Sequence, residues 1–146
     1  MMLKDSWGRP LLNLRVAITR HCNLRCEYCH MEGEERLTED FAEEMTSDEI
    51  VRIVRVAVGL GISRVKLTGG EPLMRKDIME IVKRIGALHG LSELSMTTNG
   101  TMFASSAQEL HANGLKRVNI SLPTLNGEVY DKLTSGRLED VLEGVR

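Results

Sequence analysis

The chain has 146 residues, three cysteines and 42% hydrophobic residues, with 19 basic against 21 acidic side chains for a formal net charge of -2. That length supports a core without disulfide staples, and near-neutral charge argues against a nucleic-acid polyanion or an acidic membrane as the main partner. No apolar run approaches the roughly 18 residues of a membrane span, and Met1 to Pro10 carries no signal-peptide core, so a soluble, cytoplasmic protein is expected.

Residues 1–13 read as an N-terminal arm anchored by Trp7, with Arg9 a weak phosphate candidate, and residues 14–146 as the body. Leu14-Arg15-Val16-Ala17-Ile18 is a short strand that delivers the chain into Cys22-Asn-Leu-Arg-Cys26-Glu-Tyr-Cys29. Residues 32–44 are acidic and aperiodic, and Glu34, Glu35, Glu43 and Glu44 read as a solvated loop. Thr46-Ser-Asp-Glu49 is a capping box ahead of Ile50, Ile53, Val54, Ala57 and Val58, the spacing of one buried helix face. Gly59-Leu-Gly61 closes that helix, and residues 63–68 form a second strand running into Gly69-Gly70-Glu71-Pro72.

The unit then repeats. Asp77 is placed to cap a helix whose inner face is Ile78, Ile81, Val82, Ile85 and Leu88, with Gly90 past its end. Residues 92–97 read as a strand, Thr98-Asn-Gly100 as its turn, 103–113 as a helix closed by Gly114, and 115–121 as a fourth strand. Residues 126–133 and 138 onward are helical, and the chain stops inside this last crossover, as a fragment of a longer protein would. Alternating strands and helices predict an α/β fold with a parallel sheet, either barrel-like or doubly wound. The cysteine loop, Gly69-Gly-Glu-Pro72, Thr97-Thr-Asn-Gly100 and Ser121-Leu-Pro-Thr124 all follow strand carboxyl ends, the edge where such sheets bind ligands. Taken singly, each could be an ordinary βα turn.

An odd, clustered set of cysteines is not a disulfide framework. Soft thiolates on one loop converge on zinc or iron–sulfur. A four-iron cubane normally takes four thiolates, so three leave one iron open to a small molecule. The competing reading is a Cys3His zinc knuckle that uses His21 or His30.

The spacing Cys22-x3-Cys26-x2-Cys29, with Tyr28 as the aromatic, resembles the signature of the radical S-adenosylmethionine (SAM) superfamily, and Gly69-Gly70-Glu71-Pro72 resembles its GGEP motif. The resemblance implies a partial barrel, cut after about four βα units, and a [4Fe–4S] cluster on Cys22, Cys26 and Cys29. The open iron would chelate SAM, whose reductive cleavage yields a 5'-deoxyadenosyl radical. From about Asp5 onward, Asp5-Ser-Trp-Gly8-Arg9, Leu14 to Thr19, Lys66 to Leu73, Arg75-Lys-Asp-Ile78, Thr97-Thr-Asn-Gly100 and Arg117 to Leu122 are similar to the GTP 3',8-cyclase (molybdenum cofactor biosynthesis protein A) family.

Carried over by position, Tyr28, Gly69, Gly70, Glu71 and Ser121 are implied SAM contacts, and Arg15, Lys66 and Thr97 implied contacts to GTP as substrate. No catalytic residue is assigned beyond the cluster. A reductant protein is implied as partner, neither nucleic acid nor membrane is, and a homodimer is compatible. Read without the resemblance, Arg15 and Lys66 are strand residues with solvated heads.

The chain departs from the family at Thr19-Arg20-His21, at Pro123 in place of an acid, and at His30-Met-Glu-Gly33 after the third cysteine. It has no cysteine after Cys29, whereas the family holds a second cluster on three further cysteines. His89 and His111 read as helix C-terminal cations, and the methionines as core or loop filler. Two alternatives stay open: a radical SAM enzyme with a peptide or cofactor-maturation substrate, and a zinc-stabilised binding module.

Overall fold

A computed structural model describes residues 3–29 and 44–146. Its elements run β1 (Asn13–Ala17), α1 (Ser47–Gly59), β2 (Arg64–Thr68), a single 3-10 turn (Pro72–Met74), α2 (Ile78–Gly86), β3 (Glu93–Thr98), α3 (Phe103–Ala112), β4 (Arg117–Ile120), α4 (Gly127–Thr134) and α5 (Leu138–Val145). The four strands form one open parallel sheet in the order β1-β2-β3-β4, the α/β arrangement expected from the alternation. Among the described residues no helix is long and apolar enough to cross a membrane.

Register explains why the sheet has two unlike faces. Leu14 pairs with Val65, Val16 with Leu67, Leu67 with Met96, and Met96 with Val118, so one face is a continuous apolar surface. Ile50, Val51 and Val54 of α1, Ile78, Ile81, Val82 and Ile85 of α2, and Leu110 of α3 cover it and are lost to solvent with it. The period-2 alternation sends the other residues to the opposite face. There Arg15 pairs with Lys66, Lys66 with Ser95, and Thr97 with Asn119. That face is polar and open, with a shallow cavity of about 200 Å³ bordered by Asn13, Arg15, Arg64, Lys66, Ser95 and Arg117. Arg117 is held at 2.7 Å by Glu93 beside it.

The capping box at Thr46 forms as expected: the Glu49 amide donates to the Thr46 hydroxyl at 3.2 Å, and the Thr46 amide donates to the Glu49 carboxylate at 2.8 Å. Asn126 caps α4, accepting from the Val129 amide at 3.1 Å. Asp77 does not cap α2, contrary to expectation. Its carboxylate is taken in fork geometry by Arg75, with Nε at 2.8 Å and Nη2 at 2.7 Å, a bidentate ion pair that engages both carboxylate oxygens. Trp7 does not anchor the arm either, since the residue is 82% exposed. Backbone bonds from Leu3 to Leu60 and from Leu11 to Leu3 tie the arm down instead. Arg9, the weak phosphate candidate, is bound to Asp5 at 2.6 Å.

Candidate functional site

The cysteine loop leaves the carboxyl end of β1 and is clasped from three directions. The first clasp is the turn after β2. Its Gly70 amide donates to the Thr19 carbonyl at 2.8 Å, and its Glu71 amide donates to the His21 carbonyl at 2.7 Å. Glycine is required here for two separate reasons. Gly69 sits at φ +142°, and a Cβ on it would strike the Thr19 carbonyl, while a Cβ on Gly70 would strike the His21 carbonyl. The two-glycine motif thus lets one backbone lie flat against the other, immediately ahead of the first cysteine.

Glu71 is fully buried, and its carboxylate accepts three bonds from the chain itself. The Leu73 amide donates at 3.0 Å, the Thr98 hydroxyl at 2.7 Å, and the Asn99 amide at 2.7 Å. The acid therefore stitches the end of β2 to the end of β3. Asn99, which sequence reasoning passed over as a turn residue, makes the second clasp. Its Nδ2 donates to Asn23 Oδ1 at 2.8 Å and lies 3.8 Å from Cys22 Sγ.

The third clasp comes from the far side, where the Arg25 amide donates to the Thr134 carbonyl and the Glu27 amide to the Leu133 carbonyl, both at 2.9 Å. These are carbonyls of the last turn of α4, which have no partners within the helix. Nothing in the sequence marks this contact, because it joins segments about a hundred residues apart.

Glu44 corrects the reading of a solvated acidic loop at that position. It accepts from the Thr19 hydroxyl at 2.7 Å and the Arg20 amide at 2.8 Å. Partial burial works against its charge, but these two bonds, with His21 and Arg75 nearby, hold its carboxyl below the usual range. Arg75 also donates to the carbonyls of Ile18 at 2.6 Å and Met45 at 2.9 Å, so one guanidinium braces the entrance to the cysteine loop. His30, Glu34, Glu35 and Glu43 lie outside the described residues.

All three cysteines are free thiols, with Cys22 and Cys29 exposed and Cys26 half-buried. Burial raises the Cys26 thiol, partly offset by a hydrogen bond with Tyr28. Tyr28 itself is pushed up to about 12, by burial first and then by that bond. Among the described residues no three His, Cys, Asp or Glu side chains are gathered tightly enough for one metal ion. His21 Nε2 stands 3.8 Å from Glu44. A cubane takes its thiolates at separate corners, so three soft sulfurs on one backbone-clasped loop fit it.

Arg15 and Lys66 stand side by side on the polar face, as neighbours in register. Thr97 lies on the same face of β3, two residues beyond the Ser95 that pairs with Lys66. Ser121 follows β4, exposed, its amide bonded to the Thr98 carbonyl at 2.9 Å.

A model of the radical SAM superfamily matches residues 16–146, from within β1 to the last residue. The chain belongs to the radical SAM superfamily. Enzymes of this superfamily work with a [4Fe–4S] cluster and SAM. This radical SAM chain is 51% identical over 145 residues to a probable GTP 3',8-cyclase of Thermococcus kodakarensis, covering 99% of the chain and 46% of the relative. It is 44% identical to the GTP 3',8-cyclase of Alkaliphilus oremlandii, covering 98% of the chain and 45% of that enzyme. The chain thus spans a little under half the length of these curated relatives. Among solved structures, Streptococcus suis SuiB bound to S-adenosylmethionine superposes with a TM-score of 0.70 at 25% identity, over 88% of this chain and 27% of SuiB.

Proposed function

We propose that this chain is the SAM-binding part of a GTP 3',8-cyclase, which converts GTP to (8S)-3',8-cyclo-7,8-dihydroguanosine 5'-triphosphate in molybdenum cofactor biosynthesis. One observation carries the reading: three free thiols sit on a loop whose backbone is clasped by the glycine turn after β2, at the strand ends that flank the cation pair Arg15 and Lys66. The names of the curated relatives supply the substrate.

In this reading Cys22, Cys26 and Cys29 hold a [4Fe–4S] cluster. When bound and reduced by a partner protein, it supplies the electron that cleaves SAM to methionine and a 5'-deoxyadenosyl radical. Gly69, Gly70 and Glu71 present backbone to the methionyl group of SAM. The Glu71 side chain acts by fixing that turn rather than by contact, since its oxygens are engaged internally. Tyr28 and Ser121 flank the same ligand. Arg15 and Lys66 neutralise the triphosphate as paired donors, and Thr97 offers a hydroxyl beside them. The guanine-binding cluster of the family needs cysteines that this sequence does not contain. The 146-residue chain alone is therefore expected to cleave SAM without cyclising GTP.

Anaerobic reconstitution with iron and sulfide tests this. The expected product is brown, oxygen-sensitive protein that releases 5'-deoxyadenosine from SAM under strong reductant. Colourless protein with one zinc per chain would overturn the reading in favour of a zinc-stabilised module, and cyclised GTP from the isolated chain would overturn the division of labour.

A further inference from the structure

Three side chains beside the first cysteine close a ring of hydrogen bonds. Asn23 Nδ2 donates to the Thr101 hydroxyl at 2.9 Å, that hydroxyl donates to Asn99 Oδ1 at 2.8 Å, and Asn99 Nδ2 donates to Asn23 Oδ1 at 2.8 Å. Each member donates once around the ring and accepts once, so the three bonds polarise one another in the same sense. The backbone sets the direction. The Thr101 amide, which can only donate, gives its proton to Asn99 Oδ1 at 3.0 Å and so turns Asn99 Nδ2 toward the cysteine loop. Asn99 is itself held, since its backbone amide donates to the buried Glu71 carboxylate at 2.7 Å. A side-chain amide nitrogen carries two protons. One closes the ring on Asn23, and the other has the Cys22 sulfur, 3.8 Å away, as its acceptor.

We infer that Asn99 is a positioning residue for Cys22: the ring with Asn23 and Thr101 holds its side-chain amide so that the direction of the first thiol is fixed before any metal binds. The bearing on iron rests on the cluster reading above; the placement of Cys22 does not. Asparagine is the side chain this position needs. Aspartate has the same shape but no proton to give to Asn23 or to sulfur, and alanine leaves the ring open. Cys22 is exposed, so an undirected side chain there would sample several rotamers. Three sulfurs that must reach separate corners of one cluster bind it more readily when their directions are set by folding, because less ordering is left for the binding step.

Nuclear magnetic resonance of the metal-free, reduced 146-residue chain tests this through the three-bond couplings that report the Cys22 rotamer. Wild type should hold one rotamer. In Asn99→Ala, and in Thr101→Val, which breaks the ring without touching either residue at the sulfur, the ratio of that rotamer to the others should fall by about fivefold, the weight of one net hydrogen bond. Thr101→Ser keeps the hydroxyl and should match wild type, and the helical signal should be kept in all three variants. A Cys22 that samples several rotamers in wild type, or that stays fixed in both Asn99→Ala and Thr101→Val, would overturn the inference. Anaerobic reconstitution is the second measurement: the brown absorbance should grow several-fold more slowly in Asn99→Ala and Thr101→Val than in wild type and Thr101→Ser. Growth at the wild-type rate in both would overturn the inference and leave the cluster reading intact. A fixed Cys22 that is released in the variants, in a wild-type chain that loads no iron, would support the inference and overturn the cluster reading.

Discussion

Glu71 shows how a motif residue works when its own chain surrounds it. Its carboxylate is the shared acceptor for a hydroxyl and two backbone amides from two strand ends, in a place that water does not reach. Removing it in Glu71→Ala strands all three donors, so a loss on the order of 3–5 kcal/mol is expected. A drop in melting temperature on the order of 10 °C, followed by circular dichroism, checks this. Gly70→Ala separates stability from site geometry. Its added Cβ meets the His21 carbonyl immediately ahead of Cys22, so the clasp on the cysteine loop must open to admit it. Reconstituted iron should fall to a small fraction of the wild-type content while the helical signal is kept. A variant that loads iron normally would show that the clasp is not needed. The glycines were legible as a motif in the sequence. What they touch was not, because the partner is backbone, which has no sequence signature.

At the scale of elements, the helices and strands were readable because each carries its own period and punctuation. Thr46, Asn126 and Gly114 mark ends as local chemistry requires. Asp77 was misread for the opposite reason, since a cap bond is local but its competitor Arg75 answers to a network that includes Ile18, Met45 and Glu44. That network joins the end of β1 to the residues that enter α1, and it makes a pH prediction. Hydrogen bonding from Arg75 lowers Asp77 below its ordinary 3.8. Glu44 lies below its ordinary 4.5 despite partial burial, through the Arg20 and Thr19 bonds. Depressed folded values mean that the unfolded chain takes up protons first as pH falls. The stabilisation is complete above the ordinary carboxylate values and is lost as pH drops through the folded ones. Urea midpoints between pH 7 and pH 3 should fall accordingly. Arg75→Met should lower the midpoint at pH 7 and flatten its decline toward pH 3; an unflattened decline would remove this network as the cause.

For the whole molecule the informative feature is the polar face of a parallel sheet, which no helix among the described residues covers. Parallel sheets are ordinarily apolar and covered on both sides. Here one side is Leu14, Val16, Val65, Leu67 and Met96 under three helices, and the other is Arg15, Lys66, Ser95 and Arg117 around an open cavity. A face so charged suits a ligand with several negative charges. Under the proposed function, Lys66→Ala and Arg15→Ala should each weaken GTP binding by about tenfold or more, the value of one charge-assisted contact. Isothermal titration at two salt concentrations checks this: the salt dependence should shrink in each variant. Binding equal to wild type in both would move the triphosphate elsewhere.

By itself, the sequence determined the order and type of the elements, the parallel sheet and the three-thiolate loop. Each of these depends on residues close together in the chain, through period, capping and ligand spacing. The tertiary structure alone decided that Glu71 binds β3, that Glu44 and Arg75 brace the loop, that α4 grips it beside Cys26, and that Tyr130 is buried. These contacts join residues from tens to about a hundred positions apart. Burial and polar pairing at such distances follow from how the layers pack, which no local pattern encodes.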